Sequence, residues 1–138
     1  MSAGTGIREF NTSRDDPVHF LQIWILPARR GLVPGYEQRH FPETEKRDRL
    51  RLIGDPDGND GSVRIHQDVH LYAACLGTGH MVEHAIGPNR SAWVQLARGA
   101  ATLNGHAMKE GDGAALNNED IAHVEAKADC EVLLLDLR

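Results

Sequence analysis

Residues 93–137 read WVQLARGAATLNGHAMKEGDGAALNNEDIAHVEAKADCEVLLLDL, and this stretch decides the fold. Apolar and polar residues alternate at period 2 through short runs, and each run stops at a turn signal: Gly99, Asn104-Gly105, Gly111-Asp112, then the polar residues from Asn117 to Asp120. Asn-Gly is the strongest two-residue hairpin signal, because both central positions of a type I′ turn need positive φ. The runs recur at intervals of roughly 8 to 12 residues, the spacing of a β-sandwich or small barrel. An all-β domain follows.

Upstream the same pattern continues. SVRIHQDVHLYAACL alternates through Val63, Ile65, Val69, Leu71 and Ala73, with a break at Gln67 and Asp68 that predicts a turn or bulge, and HMVEHAI adds another strand. GDPDGNDG, residues 54–61, is dense in turn residues. ETEKRDRLR places acids before bases, as a helix dipole prefers, and predicts one short helix. PARRGLVPGYEQRHFP holds three prolines and two glycines and predicts a long loop. Before it, VHFLQIWIL (Val18 to Leu26) is apolar, β-branched and aromatic, which predicts a largely buried strand, with Trp24 there and Trp93 later as core residues.

Composition narrows the function classes. The chain has 138 residues and a formal net charge of -5, with its positive residues scattered among acids, so no nucleic-acid partner is expected. Arg29, Arg30, Arg39 and Arg47 form a loosely basic stretch that Glu37, Glu43, Glu45 and Asp48 offset, and a solvated surface is the expectation there. Tyr36, Glu37 and Gln38 sit on the long loop, where binding residues often lie. Cys75 and Cys130 lie in apolar runs and read as free, buried thiols of a reducing compartment. No basic-then-apolar leader and no membrane-length apolar run is visible, so the expected location is cytoplasmic, with no membrane partner.

The succession of a Gly-Asp turn, a strand and then His123 resembles the second half of a cupin barrel, a jelly roll that in its catalytic members holds a metal. That chemistry needs a His-x-His pair, a glutamate and a later histidine. The corresponding positions here are Ile86, Pro88 and Ala92, none of which ligates, and a single imidazole at His123 does not hold a divalent ion against water. His66 with His70, and His80 with Glu83 and His84, are spaced so that on strands the two imidazoles would stand about 13 Å apart.

The runs PVHFLQIWILPARRGLVPGYEQRHFP, DGSVRIHQDVHLY, WVQLARGAATLNG and CEVLLLDL together resemble the C-terminal part of the pirin-like bicupins, which include bacterial quercetin 2,3-dioxygenase-type proteins. The resemblance covers nearly the whole chain. It implies an all-β cupin jelly-roll barrel over residues 61–138, about Ser62 to Leu137, preceded by a strand-and-loop extension with one short helix over residues 1–60. It implies further that MSAGTGIREF corresponds to the end of the family's N-terminal, metal-holding barrel, with that barrel's His-Ser missing between Arg8 and Glu9 and Glu9 left as the surviving carboxylate. The expectation is therefore a truncated, non-catalytic cupin domain with no catalytic residues, no cofactor and no metal, acting as a protein-interaction or small-molecule-binding module. The alternative is a quercetinase-like dioxygenase with a divalent metal such as iron in a rearranged or intersubunit site, for which His123, His66, His84 and Glu9 are the candidate ligands. A homodimer formed through Met1 to Leu26, by packing or exchange, is expected to cover the apolar strand that a second barrel covers in the two-barrel relatives.

Overall fold

A computed structural model describes residues 10–138, and those residues form two β-sheets with one short helix. The helix, α1, is the single turn Glu43–Lys46, closed by a Glu43–Arg47 ion pair. It stops where Arg47 turns extended and Asp48 takes a left-handed conformation at φ 54°. The strands are β1 Arg51–Asp55, β2 Val63–Arg64, β3 Val69–Leu76, β4 Met81–Ala85, β5 Ser91–Arg98, β6 Ala100–Leu103, β7 His106–Lys109, β8 Gly113–Leu116, β9 Ile121–Ala126 and β10 Cys130–Leu137. A six-stranded sheet runs β2-β1-β3-β10-β5-β8 and a four-stranded sheet runs β4-β9-β6-β7.

The period-2 pattern decides what lies between the sheets. On β10, Cys130, Val132, Leu134 and Asp136 alternate inward, and their partners in register on β5 and β3 include Leu96, Val94, Ala92, Ala74 and Tyr72. Leu76, Val94, Leu96, Val124, Val132 and Leu134 are the largest fully buried apolar side chains. Asn104 and Gly105 join β6 to β7 with φ of 46° and 83°, the type I′ turn read from the sequence. The break at Gln67–Asp68 separates β2 from β3 as expected. Cys75 and Cys130 are free, and they point to opposite faces of the six-stranded sheet, because Cys75 pairs in register with Glu131 rather than with Cys130.

Three expectations need correction. The sheet begins at Arg51 rather than near Ser62, since β1 pairs with both β2 and β3 and Gly54-Asp55 close a strand instead of opening a turn. Val18 to Leu26 forms no strand and is not buried. Its composition favours a strand, but a strand exists only where a sheet edge supplies ladder partners. This segment meets the barrel instead through isolated contacts: His19 Nδ1 accepts from Arg98 Nε at 3.2 Å, the Leu26 carbonyl from Gln67 Nε2 at 2.9 Å, and the His66 carbonyl from the Ala28 N–H at 2.8 Å. Arg98 ends β5 and Gln67 precedes β3, at opposite ends of the six-stranded sheet, so the segment runs lengthwise over that sheet's outer side. Third, the tryptophans are not core residues: Trp24 is 82% exposed, and Trp93, 38% exposed, stands on the outer side with its indole over Gly113.

Candidate functional site

The polar chemistry of the barrel collects around Arg90, which the turn after β4 places against the end of β10. Arg90 donates from Nε to Asp136 Oδ1, from Nη1 to Asp68 Oδ1 at 2.9 Å, and from Nη2 to the Asp136 carbonyl at 3.2 Å and to His70 Nδ1 at 3.4 Å. The other Asp136 oxygen, Oδ2, lies 2.7 Å from His84 Nε2 on β4. The Tyr72 ring stands 5.0 Å from the His84 ring, centroid to centroid, at an interplanar angle of 50°. Asp136 is buried, with 6% of its surface exposed, and both its oxygens have a hydrogen-bond partner, Oδ1 in Arg90 from the turn before β5 and Oδ2 in His84 on β4.

Charge and burial act in opposite directions here. Burial works against the Arg90 charge, but the hydrogen bonds to Asp136 and Asp68 outweigh it and hold the guanidinium above its ordinary pKa. The bond from Arg90 keeps the Asp68 carboxyl below the usual range, with the Arg90 and Arg138 charges adding to it. Burial pushes the Tyr72 phenol up, and the Asp136 and Asp55 carboxylates push the same way. Arg90 thus acts as a resident cation between two carboxylates and two imidazoles.

The residues read as metal ligands from the sequence are not brought together. His123 on β9 faces outward, because its neighbours Ala122 and Val124 point into the core, and its Nδ1 lies 2.9 Å from Glu83 Oε1 on β4. His84, one residue on from Glu83, points inward to Asp136 instead. His66 lies exposed in the break before β3, and so shares no strand with His70. His80 is exposed and pairs through Nδ1 with Asp48 Oδ2 at 3.1 Å. Glu9 lies outside the described residues. Ile86 and Ala92, at the positions of a metal-binding motif, are packed in the core. Among the described residues no three His, Cys, Asp or Glu side chains are grouped so as to hold a metal ion.

Two features escaped the reading of the sequence. One is the Arg90–Asp136 pair, although an aspartate in phase with Cys130, Val132 and Leu134 on an otherwise apolar strand signalled a buried carboxylate in need of a partner. The other is a groove of about 520 Å³ at the unpaired edges of β7 and β8, lined by Leu103, Met108, Leu116, Asn104, Asp112 and Glu119 among others. None of the Arg90 cluster lines it.

The comparisons with known proteins agree with this architecture. The family described as "Quercetinase C-terminal cupin domain" matches residues 52–137, which is β1 to β10. Quercetin 2,3-dioxygenase of Escherichia coli strain K12 is 41% identical over 139 residues, covering 99% of this chain and 59% of that protein. A pirin-like protein of Caulobacter vibrioides is 30% identical over 139 residues, covering 99% of this chain and 60% of that protein. Among solved structures, YhhW from Escherichia coli superposes with a TM-score of 0.78 at 37% identity, over 83% of this chain and 48% of that one. Bacterial pirin YhhW in complex with nickel(II) superposes with a TM-score of 0.77 at 38% identity, over 83% of this chain and 48% of that one. The chain spans about three fifths of the length of the curated relatives it matches. With residues 52–137, most of its length, matched by the family, it is a member of the quercetinase C-terminal cupin domain family.

Proposed function

We propose that this chain is a non-catalytic, pirin-like cupin module that works by binding a protein or a small molecule. The observation that carries the reading is the filling of the barrel interior. Where a catalytic cupin converges metal donors, this one packs Ile86 and Ala92 and holds the Arg90 guanidinium on Asp136 and Asp68. A fixed positive charge repels a divalent ion, and both carboxylates are already hydrogen-bonded to it. The groove at β7 and β8 supplies an open, partly apolar surface for a ligand, and a cytoplasmic setting suits the two free thiols. Among the described residues no helix is long and apolar enough to cross a membrane.

Elemental analysis of the purified full chain, together with oxygen and quercetin consumption, tests the proposal. The expected result is less than about 0.1 equivalent of iron, nickel, copper, manganese or zinc per chain, and quercetin loss no faster than buffer. A relative at 41% identity carries the name quercetin 2,3-dioxygenase, which favours the competing reading of a metal-dependent dioxygenase with a rearranged or intersubunit site. Near-stoichiometric metal, with turnover abolished by chelation and restored by one added ion, would establish that reading in place of ours.

A further inference from the structure

We infer that Asn104-Gly105 is a latent deamidation site, held closed by a latch between the β6–β7 hairpin and β9, and that conversion of Asn104 to an acid releases the latch. The sequence contains one Asn-Gly pair, and it forms the two-residue type I′ turn. That turn accepts Asn, Asp or Gly at its first central position, so turn chemistry alone does not require an amide at residue 104.

The β6–β9 ladder does require one. Ala101, Thr102 and Leu103 pair in register with Ala126, Glu125 and Val124, and the Asn104 N–H extends the ladder by donating to the His123 carbonyl at 2.9 Å. At φ 46° the chain then turns away into β7. The side-chain amide takes over as a substitute peptide unit: Asn104 Oδ1 accepts the His123 N–H at 2.8 Å, and Nδ2 donates to the Ile121 carbonyl at 3.0 Å. Of the residues this turn favours, asparagine alone carries both the acceptor and the donor on its side chain.

The same amide is the reactive group. When the side chain is free, the Gly105 backbone nitrogen gives up its proton to solvent base and bonds to Asn104 Cγ, the Cγ–Nδ2 bond breaks, and ammonia leaves. Water then opens the succinimide at either carbonyl, giving aspartate or isoaspartate. No other reactant is needed. Gly105 has no side chain to shield its nitrogen, and even a Cβ there would meet nothing within 4 Å. What restrains the reaction is the latch, which holds both terminal atoms of the amide on β9 and keeps Cγ off the Gly105 nitrogen. Neither product can latch again. Aspartate turns an acceptor oxygen toward the Ile121 carbonyl, and isoaspartate adds a backbone atom to a two-residue turn. Because Leu103, Asn104 and His106 line the groove at the edges of β7 and β8, either product also adds a negative charge there, alongside Asp112 and Glu119.

The full chain is incubated at mildly alkaline pH, native and in denaturing urea, and peptide mapping by mass spectrometry follows acid formation at each asparagine. In urea, residue 104 is expected to convert faster than any other asparagine. In native buffer its rate should be at least about tenfold lower, because reaction waits for the hairpin to leave β9. Amide hydrogen exchange at His123 reads the latch itself. Asn104→Asp, the product, and Asn104→Gly, which keeps the turn and lacks the amide, should each speed exchange of the His123 N–H at least about tenfold. A native conversion less than about tenfold slower than that in urea overturns the inference, as does a His123 N–H as protected in both variants as in the wild type.

Discussion

At the scale of single residues, Asp55 shows how one side chain organises a loop. Its carboxylate is 2% exposed and accepts the N–H groups of Asp57, Gly58 and Asn59, the Asn59 amide at 2.7 Å and the Ser62 hydroxyl at 3.1 Å. The seven residues of DPDGNDG are thereby wound around one anion. Burial raises the pKa of such a group, but the bonds from Asn59, Ser62 and Gly58 prevail and hold it below the usual carboxylate range. Asp55→Ala is expected to cost about 3 kcal/mol at neutral pH, because it leaves several donors without an acceptor. A carboxyl whose pKa is depressed on folding stabilises the native state above its unfolded value of about 3.9, and this contribution is lost as the pH falls through the folded value. Urea unfolding should therefore show a wild-type advantage over Asp55→Ala that is largest at pH 7 and shrinks at pH 3. An advantage that grows on acidification is incompatible with this account. Arg90 and Asp136 obey the same logic of compensation across strands, joined 46 residues apart in sequence.

At the scale of elements, two glycines with the same backbone sign have different reasons to be glycine. Gly105 closes the β6–β7 hairpin at φ 83°, and a Cβ there would meet nothing within 4 Å. Gly99 carries the chain from β5 in one sheet to β6 in the other at φ 82°. A Cβ on Gly99 would come within 2.8 Å of the Cys130 Cβ and closer still to the Asp129 carbonyl, both at the start of β10. Gly105→Ala should therefore cost only its conformational strain, about 1 kcal/mol. Gly99→Ala should cost more than about 4 kcal/mol or abolish folding, because backbone rather than a flexible side chain has to move. Thermal melting of the two variants side by side checks this, and equal midpoints would refute the crowding argument.

At the scale of the whole molecule, the chain divides into a barrel from α1 onward and an extension laid over it. From residue 10 to residue 40 only Ile25 and Leu32 are half-buried, whereas Phe41 and Pro42 begin the packed part. Limited trypsin digestion followed by mass spectrometry should cut first after Arg39 and leave a core starting at His40 that keeps its β-sheet dichroism. Loss of the core in step with the extension would show that the extension is part of the cooperative unit.

The fold class was legible in the amino-acid sequence because its signals are local. Alternation at period 2, the Asn104-Gly105 turn and the Gly111-Asp112 break each depend on a few neighbouring residues, and they mark strands wherever those strands end up. The absence of ligating side chains at Ile86, Pro88 and Ala92 was readable for the same reason. Three things were decided only by the tertiary structure. Val18 to Leu26 has the composition of a strand, yet it lies across a sheet instead of along an edge, and propensity does not create a ladder partner. His123 and His84 sit on adjacent strands, and the register of β4 with β9 sends one imidazole outward to Glu83 and the other inward to Asp136. Arg90 finds Asp136 and Asp68 because β5, β10 and β3 are neighbours in one sheet, a fact of long-range pairing that no local period encodes.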